Sequence, residues 1–249
     1  RYRGAGKTKE RSSEQPMTAT KFLLRQGNRD LARSKVFVWS IPALTATLES
    51  GKRIKTCPNA GVCGSACYAR SGTYRFSNVR KAHTENLRFV DEELERWEAE
   101  LTAELTHKRY RDAWVRIHDA GDFYSLDYAL AWCRVATSAP DVCFYAYTKE
   151  VAMFKELTLP PNFTIIYSTG GLQDRLIDKD KDRHAEVFPD LESLLEAGYS
   201  DQAEDDRLAV TGFHKVGIVA NNIPKARKRQ KQRSFGEWQA ERPSDALSD

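Results

Sequence analysis

Short apolar runs alternate with longer amphipathic stretches along most of the chain. The first run, residues 36–41, is rich in β-branched and aromatic side chains and ends at Pro42, which predicts a strand. After a polar loop, apolar residues recur at spacings of three and four, which predicts a helix with Val79 and Leu87 on one face. A second amphipathic stretch, residues 94–105, predicts another helix.

The same alternation continues beyond these two helices. Strands are predicted at residues 114–118, 142–148, 163–168, 208–210 and 216–220, and helices at residues 126–139, 151–157 and 190–197. Residues 174–183 are highly charged and are predicted as an exposed loop. Strand, loop and helix recur about five times, which indicates an α/β fold with a mainly parallel sheet. An open doubly wound sheet and a full or partial (β/α) barrel both satisfy this pattern.

Polar residues cluster where the predicted strands end. They follow the first strand in a cysteine-containing loop, and they occupy residues 118–122, 148–149 and 168–171. Ligands of such folds bind at the carboxyl ends of the strands. We therefore expect one site that gathers all four segments. No G-x-G-x-x-G motif opens a helix, so a dinucleotide-binding fold has no support.

The cysteine loop is the most specific chemical signal. Cys57, Cys63 and Cys67 are spaced C-x5-C-x3-C, and no fourth cysteine is near them in the sequence. Thiolates are soft ligands, which indicates zinc or an iron–sulfur cluster. A structural zinc site normally closes with four protein ligands, whereas a [4Fe–4S] cluster held by three cysteines keeps one iron open. Buried or disulfide-linked thiols are the alternative, but the Gly, Pro and Asn residues around them favour a ligand loop.

The other strand ends supply candidate catalytic and binding groups. His118 could ligate metal or transfer protons, and Asp119 and Asp122 could orient it or bind a cationic group. Lys149 could fix an anionic group. Backbone N–H groups of a final segment could cradle a phosphate or carboxylate, as a cofactor-binding loop formed by Ser168, Thr169, Gly170 and Gly171. Plain helix-capping turns and a solvated lysine are the alternatives.

The remaining soft ligands carry weaker signals. Cys133 lies on an apolar helix stripe and Cys143 within a strand, so both are expected to be inert packing thiols. His83 shares a helix face with apolar residues and is expected in the core rather than as a fourth ligand.

The composition narrows the class of protein to which this chain can belong. The 249 residues are 41% hydrophobic and 10% aromatic, which fits a globular protein with one large domain. No run of about 18 apolar residues predicts a membrane span, and no signal peptide is visible. Five cysteines, an odd number, fit a reducing cytoplasm. We expect a single α/β domain at residues 21–223.

The net charge of +4 conceals two basic segments. Residues 1–35 hold ten Lys or Arg against three acids, and residues 225–233 hold six with no acid. We expect a basic N-terminal extension at residues 1–20 and a basic C-terminal tail at residues 224–249. Such segments bind phosphate backbones by releasing counterions, or they are solvated ends that keep the protein soluble.

Several motifs together resemble the phage "gene product 88" family, which actinobacterial phages encode widely. The resemblance covers roughly residues 22–175. The motifs are Gln26-Gly27-Asn28, Lys55-Thr56-Cys57-Pro58, Cys63-x3-Cys67-Tyr68-Ala69, Tyr74-Arg75-Phe76 with Asn86-Leu87, Arg116 through Ser125, and Phe144 through Lys149. The resemblance implies a cysteine-bound metal centre of the iron–sulfur type in the cytoplasm of an infected bacterium. Many members carry further cysteines near the C-terminus, whereas residues 209–220 here contain none.

A looser likeness is to radical S-adenosylmethionine enzymes. Those enzymes use a partial (β/α) barrel with a three-cysteine loop after the first strand and a glycine- and acid-bearing motif after the second. Gly121 and Asp122 occupy the corresponding position, although those enzymes typically space their cysteines C-x3-C-x2-C. The likeness implies a [4Fe–4S] cluster on a partial barrel, with S-adenosylmethionine as a candidate cofactor.

Three hypotheses follow from these signals. The first is a monomeric [4Fe–4S] protein with a radical-enzyme-like barrel, whose open iron is a candidate catalytic centre. The second is a non-catalytic iron–sulfur protein whose basic termini contact nucleic acid or a host protein. The third is a structural zinc protein, which the missing fourth ligand disfavours.

Overall fold

The computed structural model describes residues 22–242, and an α/β arrangement runs through all of them. The strands are β1 (Arg25–Gln26), β2 (Val36–Trp39), β3 (Ala46–Thr47), β4 (Arg53–Ile54), β5 (Trp114–Ile117), β6 (Cys143–Thr148), β7 (Phe163–Ser168), β8 (His184–Phe188), β9 (Ser200–Asp201) and β10 (Lys215–Val219). The helices are α1 (Arg29–Arg33), α2 (Gly61–Ser65), α3 (Ser77–Glu92), α4 (Leu94–Leu105), α5 (Leu126–Ser138), α6 (Val151–Glu156), α7 (Leu191–Glu196), α8 (Leu208–Thr211), α9 (Pro224–Gln230) and α10 (Phe235–Ala240). Short 3-10 turns occur at Tyr68–Arg70, Gly72–Arg75, Lys108–Tyr110 and Asp174–Leu176.

Eight of the strands form one sheet in the order β1-β2-β5-β6-β7-β8-β10-β9. Only β1 pairs antiparallel to its neighbour, so the prediction of a mainly parallel sheet is confirmed. The order advances in one direction from β2 to β8, whereas a doubly wound sheet reverses near its middle. The sheet is open, with β1 and β9 at its edges, so the described residues form no closed barrel. Strands β3 and β4 make a separate hairpin.

An aromatic core packs between the sheet and α3, α4 and α5. Trp39 of β2, Trp97 of α4 and Trp132 of α5 are fully enclosed, and the last two rings meet edge to face at 4.9 Å. Such a pair adds about 0.5–1.5 kcal/mol beyond the burial of its surface. The core therefore fixes β2 and β5, whose carboxyl ends lead into the cysteine loop and the residue 118–122 turn.

The second apolar cluster contains α8, where the prediction of a strand at residues 208–210 was wrong. These residues form one helical turn whose Ala209 packs with Val36, Tyr145 and Ile166. A run of three apolar residues fits a buried turn as well as a strand, so its pattern could not distinguish them. Strand β8 was missed because His184 and Glu186, both buried, interrupt its apolar pattern.

The segment predicted as a basic C-terminal tail packs on the domain as far as residue 242. Helix α10 begins with a capping box at Ser234 and contacts α2 and β8, and Phe235 is buried. The predicted extension at residues 1–20 and the last residues of the tail, 243–249, lie outside the described residues. Within the described part of the chain, no helix has both the length and the apolar composition to cross a membrane.

Candidate thiolate site

The cysteine loop is anchored by hydrogen bonds to distant backbone groups at two of its three cysteines. The Cys57 backbone N–H donates to the Leu44 carbonyl at 3.3 Å, and the Leu44 N–H donates to the Cys57 sulfur at 3.2 Å. Cys63 lies on α2, and its backbone N–H donates to the Gly170 carbonyl at 3.1 Å. Cys67 directly precedes the 3-10 turn at Tyr68–Arg70. All three cysteines are half-buried and free of disulfides.

Close backbone approach holds this loop against the end of β7. Gly61 has a φ of +53°, and a Cβ there would lie 2.6 Å from the Gly170 carbonyl oxygen. A side chain at Gly171 would meet the Asn59 carbonyl at 2.9 Å, and that carbonyl accepts a hydrogen bond from Leu172. These contacts require glycine at both positions.

Two residues that sequence reasoning missed position the loop. Glu150 accepts hydrogen bonds from the backbone N–H of Asn59 at 3.1 Å and from its side-chain amide at 2.6 Å. Gln239 of α10 accepts from the Val62 N–H through Oε1 at 2.8 Å. Glu150 follows Lys149 at a predicted strand end, which was a usable signal. Gln239 lies in the segment predicted as a tail, and nothing in the sequence marked it.

Buried surroundings and mutual proximity disfavour thiolates while no metal is bound. Burial raises the pKa of Cys57, and the nearby Asp122 carboxylate raises it further. Burial, and next the neighbouring Cys63, raise the pKa of Cys67 to about 11, against weaker opposing effects of Arg70 and Lys149. Since metal ligation requires the thiolate, metal binding here must release protons.

Asp122 ties together the ends of two neighbouring strands. Its carboxylate accepts from the Thr148 hydroxyl at 2.6 Å and from the backbone N–H groups of Lys149 and Phe123 at 3.0 and 2.8 Å. Its own N–H donates to the Thr56 carbonyl at 2.9 Å, next to Cys57. The structure thus brings residue 122 to the cysteine loop, where its evident role is to hold the loop in place.

The lysine and the glycine-rich turn also lie at this edge. The buried Lys149 ammonium donates to the Ser168 hydroxyl at 2.8 Å. Thr169 is buried and donates to the Ala185 carbonyl. The N–H groups of Gly170 and Gly171 bind the Asp174 carboxylate at 2.7 and 2.8 Å. The predicted anion-binding nest therefore forms, but a carboxylate of the chain itself fills it.

His118 and Asp119 point into different surroundings. The His118 ring lies 4.9 Å from the Phe123 ring, and its Nε2 is 2.7 Å from the Tyr128 hydroxyl, so it is directed into the core. Asp119 accepts a hydrogen bond of 2.5 Å from Tyr74, and its backbone carbonyl accepts one from Tyr68. Asp119 thus anchors the segment that follows Cys67, whereas His118 makes its contacts away from the loop.

The remaining predicted positions differ in outcome. Cys133 is buried, in agreement with a packing thiol, but Cys143 is exposed and that prediction was wrong. Cys143 is the first residue of β6, where the strand is exposed before the buried residues that follow. His83 is half-buried beside Tyr74, with ring centroids 6.2 Å apart.

The three thiols of the cysteine loop are the candidate metal ligands of this site. Among residues 22–242, no three His, Cys, Asp or Glu side chains converge closely enough to hold one metal ion. Four thiolates around zinc would lie about 3.8 Å apart, from the Zn–S distance and tetrahedral angles. A cubane holds its thiolates more widely, because an iron–sulfide core separates them. The cysteine loop could provide three thiolate ligands to either group, and the Cys57 sulfur already accepts an N–H···S hydrogen bond from Leu44.

These features define an α/β protein that carries three thiols of one loop at the carboxyl edge of a mainly parallel sheet. Residues 22–244 match the Gene product 88 family, and the chain belongs to this family. The Gene 88 protein of Mycobacterium phage L5 is 34% identical over 112 residues, which cover 38% of this chain and 43% of that protein. The Gene 88 protein of Mycobacterium phage D29 is 33% identical over 112 residues, covering 38% and 42%. The matches thus span less than half the length of these relatives, and no solved structure matches the chain.

Proposed function

We propose that this chain is a phage iron–sulfur protein in which Cys57, Cys63 and Cys67 bind a [4Fe–4S] cluster. The observation that carries the proposal is that three free, half-buried thiols lie on one loop at the carboxyl ends of the parallel strands, where hydrogen bonds anchor two of them. The Leu44 N–H donates a hydrogen bond to the Cys57 sulfur at 3.2 Å, and this bond would stabilise a metal-bound thiolate. A cluster with one open iron would supply electron transfer and a binding position for a small ligand.

The surrounding residues would serve this site by position and charge. Lys149 is the buried cation near Cys67, where it would offset part of the negative charge of the thiolates. Asp122 and Glu150 would fix the loop through their hydrogen bonds to the strand end and to Asn59. The close backbone contacts at Gly61 and Gly171 would limit the movement of the loop when the metal is lost.

Metal and sulfide analysis of anaerobically purified protein tests this proposal. We expect about four iron and four sulfide per chain after reconstitution, with broad absorbance near 400 nm. Cys63→Ser should lose both, whereas Cys143→Ser, at an exposed position outside the loop, should keep them. Protein that takes up zinc and no iron, or a Cys63→Ser variant with unchanged iron content, would refute the proposal.

The second candidate function is radical chemistry with S-adenosylmethionine on a partial barrel. It is favoured by the one-directional order of the parallel strands β2 to β8 and by the position of the cysteine loop, which follows β2. Reductive cleavage of S-adenosylmethionine by the reduced, cluster-loaded protein would support it. A loaded and reducible cluster that leaves S-adenosylmethionine intact would exclude this function and leave the iron–sulfur proposal standing.

A further inference from the structure

A solvent-open groove of about 350 Å³ lies directly beside the thiolate site. One wall is formed by residues 64–75, the part of the cysteine loop that includes Cys67, and the other by α9. Its charged lining residues are all cationic: Arg70, Arg75, Lys225 and Arg229. The groove is thus basic on both walls, and its volume falls in the range of about 300–1,000 Å³ typical of ligand sites.

Most of the cationic side chains that line the groove have no hydrogen-bond or ion-pair partner among the described residues. The side chains of Arg70, Arg75 and Lys225 make no hydrogen bond or ion pair with another described residue, and Arg229 makes one hydrogen bond of 3.4 Å to the Ser65 carbonyl. All four are exposed. Elsewhere on this surface, Arg233 pairs with Glu241. Four cations without ion-pair partners in the described part of the chain line one groove, so an anion that enters it gains their combined attraction.

From this arrangement we propose that the groove binds the phosphate backbone of single-stranded nucleic acid. The cations lie along two walls rather than converging on one point, which suits a chain of phosphates better than a single small anion. Helix α9 extends the basic surface with Lys228, which is also exposed. Phe76 follows Arg75 directly and is 59% exposed, and exposed aromatic rings beside basic grooves stack on unpaired bases.

Fluorescence anisotropy with a labelled oligothymidylate of about 12 nucleotides tests this proposal on the full chain. The double variant Arg75→Gln with Lys225→Gln removes one charge from each wall. We expect it to weaken binding at least about tenfold at about 100 mM salt and to reduce the salt slope by about 1.4. Arg70→Gln with Arg229→Gln should act in the same way and serves as an independent pair.

The matched control is Lys108→Gln with Arg111→Gln. It removes the same number of charges just before β5, at the amino ends of the parallel strands, whereas the cysteine loop lies at their carboxyl ends. It should keep the wild-type affinity. Equal affinities of the groove and control variants would overturn the proposal, as would equal binding of a hairpin duplex. Displacement of the oligonucleotide by polyglutamate at equal charge would instead indicate an acidic protein partner and would also overturn it. Iron content does not enter the measurement, so its outcome is independent of the cluster proposal.

Discussion

His118 and Tyr128 share a buried hydrogen bond of 2.7 Å between Nε2 and the hydroxyl oxygen. The same hydroxyl accepts a hydrogen bond from Trp39 Nε1 at 2.9 Å, so its single proton is free to point at the histidine. His118 Nε2 can accept this proton when the ring is the neutral tautomer protonated at Nδ1. Nδ1 is buried without a partner among the described residues. The predicted catalytic histidine is thus a core residue held neutral by its surroundings.

The neutral state of His118 predicts loss of stability in acid. Burial lowers its pKa to about 3, while the unfolded chain titrates near 6.5. Below about pH 6.5 the unfolded state therefore binds a proton at His118 that the folded state does not bind. The free energy of unfolding then falls by up to about 1.4 kcal/mol for each unit by which the pH is lowered. Relative to the wild type, His118→Gln should lose this component of the pH dependence in urea unfolding between pH 7.5 and 5. His214→Gln, at an exposed position, should keep it.

Glu150 predicts an effect of the opposite sign. Burial, and next the charge of Asp122, raise the pKa of its carboxyl to about 7. Between about pH 4.5 and 7 the folded state holds a proton that the unfolded state releases, so stability decreases as the pH rises through this window. Glu150→Gln removes this titration and should flatten that component of the unfolding profile relative to the wild type. A Glu156→Gln control that flattens it equally would contradict the assignment.

Asp122→Asn should destabilise the fold by about 2 kcal/mol. The carboxylate accepts three hydrogen bonds, two of them from backbone N–H groups on different oxygens. Either orientation of the amide would point a donor at one of those N–H groups and leave it unsatisfied. Urea unfolding at pH 7.5 measures the loss. Asp127→Asn, in the exposed first turn of α5, should change stability by less than about 0.5 kcal/mol, and an equal loss there would exclude this explanation.

Gln239→Ala should make Cys63 more reactive. The substitution removes the hydrogen bond to Val62 that holds α2, so the loop opens more often and exposes the thiol beside it. We expect the alkylation rate of Cys63 in metal-free protein, followed by mass spectrometry, to rise about tenfold for each 1.4 kcal/mol lost. Cys143, already exposed, provides the internal reference. Gln232→Ala, on the same surface without this contact, should leave both rates unchanged.

The sequence predicted well wherever one local pattern decided the structure. Strands β5, β6 and β7 are rich in β-branched and aromatic residues, and Ser125 caps α5 as its position suggests. Because parallel strands end at one edge, the meeting of the cysteine loop with Asp122 and Lys149 could also be foreseen. Long-range pairs could not, because Glu150–Asn59 and Gln239–Val62 depend on how distant segments pack. The direction of His118 could not either, since a strand end allows either face.

The α10 contact with the cysteine loop has a consequence for the order of synthesis. Gln239 and Val62 are 177 positions apart, so a ribosome releases the three thiols long before the helix that fastens them. During that interval the nascent chain presents its cysteines without their final support. Any metal acquired then must be held by the thiols alone, and any oxidant meets them at their most accessible. The interval between synthesis of the cysteine loop and packing of α10 against it is therefore the period in which metal enters this site most easily and oxidants damage it most easily.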